Sequence, residues 1–259
     1  MLTIIIPTLG DRLIELSRLL DSLDNQTNKK FNVILVIQGN HELVESVLTQ
    51  YTFQIVVCLS NKKGLSAARN LALQYIDESS NYITFSDDDC WYPISMVERI
   101  ASLNMASNKC VCFQIFDPEK EQYYKDYGNN PIEKMTRRDL LRISSIEIFV
   151  PINIIKKGVK FDENFGLGTT NPSGEENIFL FDLVRENYII DYFPEIIVFH
   201  PVPNWAKKEY TFKGKGALFA RLYNKPIGFI MVLIYSLKKF KLFTNFPKQF
   251  FGMIKEIFT

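Results

Sequence analysis

The chain has 259 residues, 47% of them hydrophobic and 23% charged, with a net charge of +1, which suits one large domain or one domain with an appendage. Four cysteines without a CxxC pair, and only two histidines, argue against a structural zinc site and fit reduced, cytosolic thiols. The near-neutral total hides an asymmetry: residues 207–259 hold eleven Lys or Arg against two Glu, a local +9 that leaves −8 elsewhere. An acidic body with a basic tail points to an anionic partner surface, and the absence of an RNA-binding motif argues against nucleic acid.

The first residues, Met1-Leu2-Thr3-Ile4-Ile5-Ile6-Pro7, lack the basic start of a secretory signal and read as a buried strand over 2–7. Helical spacing follows at Leu13, Leu16, Leu19, Leu20 and Leu23. A strand over 31–37, a helix over 41–51 and a strand over 53–58 come next. Leu65, Ala68, Leu71, Ala72 and Tyr75 then predict a helix over 64–76, and Tyr82 to Phe85 a fourth strand. Pro93 suits the first turn of a helix reaching about 107, before a strand over 110–116. Residues 119–131 and 165–173 read as loops, 175–186 as a helix and 188–199 as a closing strand. This alternation predicts an α/β fold with a mainly parallel sheet, whose ligands bind beyond the carboxyl ends of the strands.

At one such end lies Ser86-Asp87-Asp88-Asp89. Three adjacent carboxylates repel one another. A divalent cation relieves that repulsion, hard oxygen ligands suit Mg2+ or Mn2+, and such a metal holds phosphate. The competing reading is an acidic surface turn. Gly64 opens a helix whose first amides could face an anion, and Arg69, one turn in, could meet a phosphate or a carboxylate. Further on, Phe161-Asp162-Glu163 and Gly174-Glu175-Glu176 bring carboxylates to a helix start. One of them could act as a general base. Ser173 and Glu176 also have the spacing of a capping box, which would account for Glu176 without catalysis.

In this order the segments resemble the family 2 glycosyltransferases, which have the GT-A fold. The resemblance runs from residue 2 to about 201. It rests on Ile4-Ile5-Ile6-Pro7-Thr8, on Gly64 with Ala68-Arg69-Asn70, on the D-x-D motif in Asp87-Asp88-Asp89, and on Phe161-Asp162-Glu163 with Gly174-Glu175-Glu176. It implies that Pro7, Thr8, Gly64, Arg69, Asp87 and Asp88 belong to the nucleotide site and that Asp89 ligates a Mn2+ or Mg2+ cofactor. His200, after the last strand, fits the family's second metal ligand. Glu176 falls where the family has its catalytic base, with Glu175 the alternative. Gln38 stands where relatives carry an acidic residue that contacts the base; its amide can still serve a uracil.

The implied activity is inverting transfer of a sugar from a nucleotide sugar, with UDP favoured, to a glycan hydroxyl in bacterial surface polysaccharide synthesis. The alternatives are a non-catalytic sugar-nucleotide module and a nucleotidyltransferase; the Gly-rich, Arg-containing loop expected of the latter after its first strand is missing. The predicted division is a GT-A domain over 1–205, with a nucleotide half (1–117) and an acceptor half (118–205), and a C-terminal amphipathic helical tail over 206–259. The tail is basic and rich in Phe. Its run over 226–237 is about half the length of a spanning helix. It suits a helix lying in an anionic membrane interface, and hence a lipid-linked acceptor at the inner face of the cell membrane. A pair of core-packing helices is the plainer reading of the same pattern.

Overall fold

The computed structural model describes residues 1–103, 106–203 and 211–259. In chain order the elements are β1 (Leu2–Thr8), α1 (Leu13–Asp24), β2 (Phe31–Ile37), α2 (His41–Leu48), β3 (Ile55–Leu59), α3 (Leu65–Ala72), β4 (Tyr82–Phe85), α4 (Met96–Ser102), β5 (Lys109–Asp117), β6 (Gln122–Tyr123), α5 (Arg137–Leu140), β7 (Ile148–Pro151), α6 (Glu175–Arg185), β8 (Ile189–Phe199), α7 (Lys215–Leu222), α8 (Lys225–Lys238) and α9 (Phe246–Phe258). They form one eight-stranded sheet with the order β3-β2-β1-β4-β7-β5-β6, and β8 pairs with β5.

The first four strands are parallel, as their continuous apolar sequences predict. The second half is mixed. β7 runs antiparallel to both β4 and β5, β6 antiparallel to β5, and β8 parallel to β5. Alternating side chains of β1 and β2 build two separate cores. Ile5, Ile34 and Val36 join α3 and α6 on one face; Ile4, Ile6, Val33 and Leu35 join α1 and α4 on the other.

Two local expectations are corrected. Pro93 precedes its helix instead of opening it: its carbonyl accepts from Met96 N at 3.0 Å, and α4 ends at Ser102. The buried Gln26 fixes this start by accepting from Val97 N at 3.0 Å and donating to Pro93 O at 2.8 Å. The capping box at Ser173 and Glu176 does not form. Gly174 caps α6 in a left-handed conformation, φ 95°, and Ser173 Oγ instead accepts from Lys215 Nζ at 2.9 Å. A side chain at 174 would also meet Leu218 at 2.6 Å.

The last three helices form a third, smaller core around Phe212, Phe219, Val232, Met253 and Ile257. α7 also joins the main body, through Leu218 and Leu222 in the core shared with α6. The predicted division at 205/206 falls within 204–210, outside the described residues, as do two of the tail's lysines. No described helix is long and apolar enough to cross a membrane.

Candidate active site

β4 ends at Phe85, and the chain turns outward through Asp87, Asp88 and Asp89 beyond the carboxyl end of the parallel strands. The three carboxylates point to different partners. Asp88 is buried: its Oδ2 accepts from Thr8 Oγ1 at 2.7 Å, and its Oδ1 lies 2.7 Å from Arg12 Nη2. That second contact is an ion pair by distance without hydrogen-bond alignment, so Oδ1 has no hydrogen-bond partner among the described residues. Burial pushes the Asp88 carboxyl up to about 6, against the Thr8 hydrogen bond and the Arg12 charge.

Asp89 meets His200 and Arg12. Its Oδ1 lies 3.2 Å from His200 Nε2, and its Oδ2 accepts from Arg12 Nη1. Burial opposes its ionisation, but His200 and Arg12 outweigh burial and hold its pKa below the usual range. His200 arrives there because β8 closes against the aspartate loop: Trp91 and Phe199 exchange backbone hydrogen bonds at 3.0 and 2.7 Å, and His200 N donates to Phe116 O. Burial lowers the His200 pKa, yet the Asp89 carboxylate raises it by more.

Asp87, with its side chain about one-third exposed, is held by Arg69 at 3.0 Å. Arg69 has no exposed surface. Its Nη2 also donates to Ser145 Oγ at 2.8 Å, and its Nη1 lies 3.5 Å from Glu175 Oε1. The guanidinium lies 5.1 Å from the Phe161 ring centroid, over the ring face. Of the two partners proposed for Arg69, the carboxylate is met within the protein, by Asp87 and Glu175. The neighbouring Asn70 exchanges two hydrogen bonds with the Phe161 backbone, at 2.9 and 2.8 Å, which joins the Ala68-Arg69-Asn70 and Phe161-Asp162-Glu163 segments.

Glu175 and Glu176 open α6. Glu175 turns inward to Arg69 and is buried, whereas Glu176 is half-buried. Burial first, then repulsion from Glu176, raises the Glu175 pKa well above the carboxylate range; Arg69 opposes this only in part.

Three of the predicted nucleotide contacts also bond within the protein. Thr8 Oγ1 accepts from Gly10 N at 2.9 Å while donating to Asp88, so it shapes the turn after β1, in which Pro7 is itself buried. Gly64 does open α3, but the first amide, Leu65 N, donates to Leu167 O at 3.0 Å. The loop after Phe165 thus takes up the first amide of this helix start. Gln38 Nε2 donates to the Lys62 and Gly64 carbonyls, which leaves Oε1 as its free functional atom.

Sequence reasoning missed Arg12, Arg18, Ser145 and Lys215. Arg18 Nη2 donates to Asp89 O at 3.0 Å and stacks 3.6 Å over Trp91. The signal for Arg12 was available: three carboxylates imply a cationic partner, and Arg12 starts the helix after the neighbouring strand. Nothing in the spacing pointed to Ser145, in the short helical turn before β7, or to Lys215, the first residue of α7.

The Asp89–His200 pair suits one divalent cation. Two cis ligands of an octahedral Mg2+ sit about 3 Å apart when each is about 2.1 Å from the metal, against 3.2 Å here. His200 Nδ1 lies 2.7 Å from the Pro201 carbonyl, an acceptor that would hold the Nδ1 proton when Nε2 ligates a metal. Among the described residues no three His, Cys, Asp or Glu side chains form a metal-holding group. The set is therefore two protein ligands, with room for phosphate oxygens and water.

Residues 3–159 match the family described as Glycosyl transferase family 2. An "Uncharacterized glycosyltransferase" of Haemophilus influenzae is 29% identical over 196 residues, covering 72% of this chain and 63% of its own. "Glycosyltransferase GlyA" of Streptococcus pneumoniae is 32% identical over 88 residues, covering 33% of this chain. The chain thus spans 63% and 12% of the lengths of these two relatives. Among solved structures, S. aureus TarS 1-349 in complex with UDP-GlcNAc aligns with TM-score 0.65 and 14% identity, covering 97% of this chain and 72% of that one. The mannosyltransferase PcManGT from Pyrobaculum calidifontis, with GDP-Man and Mn2+, aligns with TM-score 0.60 and 12% identity, covering 98% and 73%. These structural likenesses concern the fold, which is GT-A. With its ordered motifs joined at one end of the sheet and the family match over most of its length, the chain belongs to the family 2 glycosyltransferases.

Proposed function

We propose that the chain is an inverting, metal-dependent glycosyltransferase that moves a sugar from a UDP-sugar to a hydroxyl of a glycan acceptor. The observation that carries this reading is the pairing of Asp89 with His200 together with the bridge of Arg69 from Asp87 to Glu175, the neighbour of the half-buried Glu176. Fold neighbours bound to UDP-GlcNAc, and to GDP-Man with Mn2+, support a nucleotide-sugar donor and a divalent cation.

Asp87, partly exposed and oriented by Arg69, accepts from the donor's ribose hydroxyls. Gln38 Oε1 accepts from the N3–H of uracil, its amide nitrogen being held by two carbonyls. Asp89 and His200 would hold a Mn2+ or Mg2+, which supplies positive charge to the leaving diphosphate. Glu176 takes the proton of the acceptor hydroxyl as that oxygen attacks C1 from the face opposite the diphosphate. Charge at C1 then has oxocarbenium character, as in glycoside hydrolysis. Glu175 is a positioning residue: it faces Arg69 from the first turn of α6.

The acceptor reading comes from the C-terminal helices. α8 buries Gly228, Val232 and Ser236 and leaves Ile227, Ile230, Leu233, Ile234 and Leu237 exposed along its other side. Exposed lysines at 238, 241, 248 and 255 accompany this stripe. An apolar face with basic flanks suits the interface of an anionic membrane. The enzyme would act as a peripheral protein at the inner face of the cell membrane, on a lipid-linked glycan of surface polysaccharide synthesis.

The test is UDP release from a panel of UDP-sugars with Mn2+. Glu176→Gln is expected to lower turnover about 10²- to 10⁴-fold, and Glu175→Gln by clearly less. Near wild-type turnover in Glu176→Gln would refute the assignment of the base.

A further inference from the structure

We propose that Arg12 is an exchangeable cation of the aspartate pair: its guanidinium bridges Asp88 and Asp89 before the divalent cation arrives, then leaves them for the donor's diphosphate. This inference rests on the reading of Asp89 and His200 as metal ligands.

Four observations carry it. The guanidinium meets both carboxylates at once, Nη2 lying 2.7 Å from Asp88 Oδ1 and Nη1 pairing with Asp89 Oδ2. Asp89 Oδ1 lies 3.2 Å from His200 Nε2, so both oxygens of Asp89 already have partners within the protein. The Arg12 side chain is about half exposed, at 48%, whereas Arg69, the other arginine of the site, is at 0%. A fully enclosed guanidinium is a fixture, but an exposed one can move without crossing the core. The contact with Asp88 Oδ1 also lacks hydrogen-bond alignment, so charge alone holds that end of the bridge.

Arg12 stands at the entry to α1 without a side-chain cap bond, so its release breaks no cap hydrogen bond of that helix. A divalent cation on Asp89 Oδ1 would lie close to this guanidinium and repel it. A diphosphate in the same place offers the displaced arginine a planar, two-pronged anionic partner. Metal and diphosphate should therefore bind with positive coupling: the metal alone must displace Arg12 without compensation, whereas metal and diphosphate together give Arg12 a new partner.

The experiment titrates Mn2+ alone, read by the paramagnetic resonance signal of free Mn2+, into wild type and Arg12→Gln, and repeats both titrations with saturating UDP. Arg12→Gln is expected to bind Mn2+ alone about tenfold tighter than wild type and to gain less from UDP. Equal or weaker Mn2+ binding by the variant without UDP overturns the exchange. Absence of Mn2+ binding in both proteins even with UDP contradicts the metal reading itself, and the exchange with it. Should Arg12→Gln fold poorly by circular dichroism, Arg12→Lys replaces it. Affinity for Mn2+ between those expected of wild type and Arg12→Gln supports the exchange; affinity at or below wild type overturns it.

Discussion

Arg69 has no exposed surface and meets Asp87, Ser145 and Glu175 from the middle of α3. A buried charge of this kind is tolerable only with partners, and removing one side of such a pair commonly costs about 3–5 kcal/mol. Its partners are unequal. Asp87 reaches solvent, whereas Glu175 is enclosed and its pKa is raised by burial and by Glu176. The folded protein therefore binds a proton at Glu175 more tightly than the unfolded chain does. The resulting stability is fully present below the ordinary carboxylate value and is lost as pH rises toward the raised one. Over that window the slope from this group alone approaches about 1.4 kcal/mol per pH unit. Glu175→Gln keeps the side chain neutral at every pH, so its urea-unfolding free energy is predicted to fall less steeply between pH 5 and pH 8 than that of wild type. Identical slopes in the two proteins would show that Glu175 ionises normally.

Among the elements, α7 and α9 meet at a close backbone approach. Gly216 lets the two backbones approach so closely that an added Cβ would sit 1.8 Å from Met253 O. Glu256 of α9 accepts from Gly214 N and Gly216 N at 2.9 and 3.1 Å, satisfying amides at the start of α7. α7 is in turn tied to the site: Lys215 reaches Ser173, and Arg221 reaches Asp162 at 2.9 Å and Asp182 at 2.7 Å. Gly216→Ala is therefore expected to push α9 away and to destabilise the chain by about 1–3 kcal/mol, seen as a lower urea midpoint. An unchanged midpoint would mean that the two helices can separate without cost. Much of the framework was legible beforehand. The runs at 31–37 and 82–85 became strands with those bounds, because every side chain along the first is buried and the second closes against β1. Tertiary partners were not legible. A capping box at Ser173 and Glu176 satisfies every local rule, yet Lys215, from 42 residues on, takes the serine. The Asp run likewise showed where charge gathers, but not that Asp88 turns inward to Thr8 while Asp89 turns to His200.

The whole molecule has two distinct surfaces. At the carboxyl end of the sheet the acidic loop, His200 and the start of α6 surround the candidate site, and the C-terminal helices carry the apolar stripe of α8 with its lysines. The double substitution Ile230→Glu with Leu237→Glu places charge on two exposed positions, at 52% and 78%, and should leave the fold intact. It is predicted to abolish flotation with vesicles containing anionic lipid while keeping UDP release from a soluble donor. Unchanged flotation would show that the apolar stripe of α8 is not the membrane-binding face. The central claim concerns the other surface: a UDP-sugar is held there by a divalent cation on Asp89 and His200. Calorimetric titration of UDP tests it most directly, with wild type and Asp89→Asn measured in Mn2+ and in EDTA. The account predicts binding by wild type in Mn2+, weakened at least tenfold in EDTA, and equally weak binding by Asp89→Asn in either buffer. Equal UDP affinity in all four titrations would contradict it.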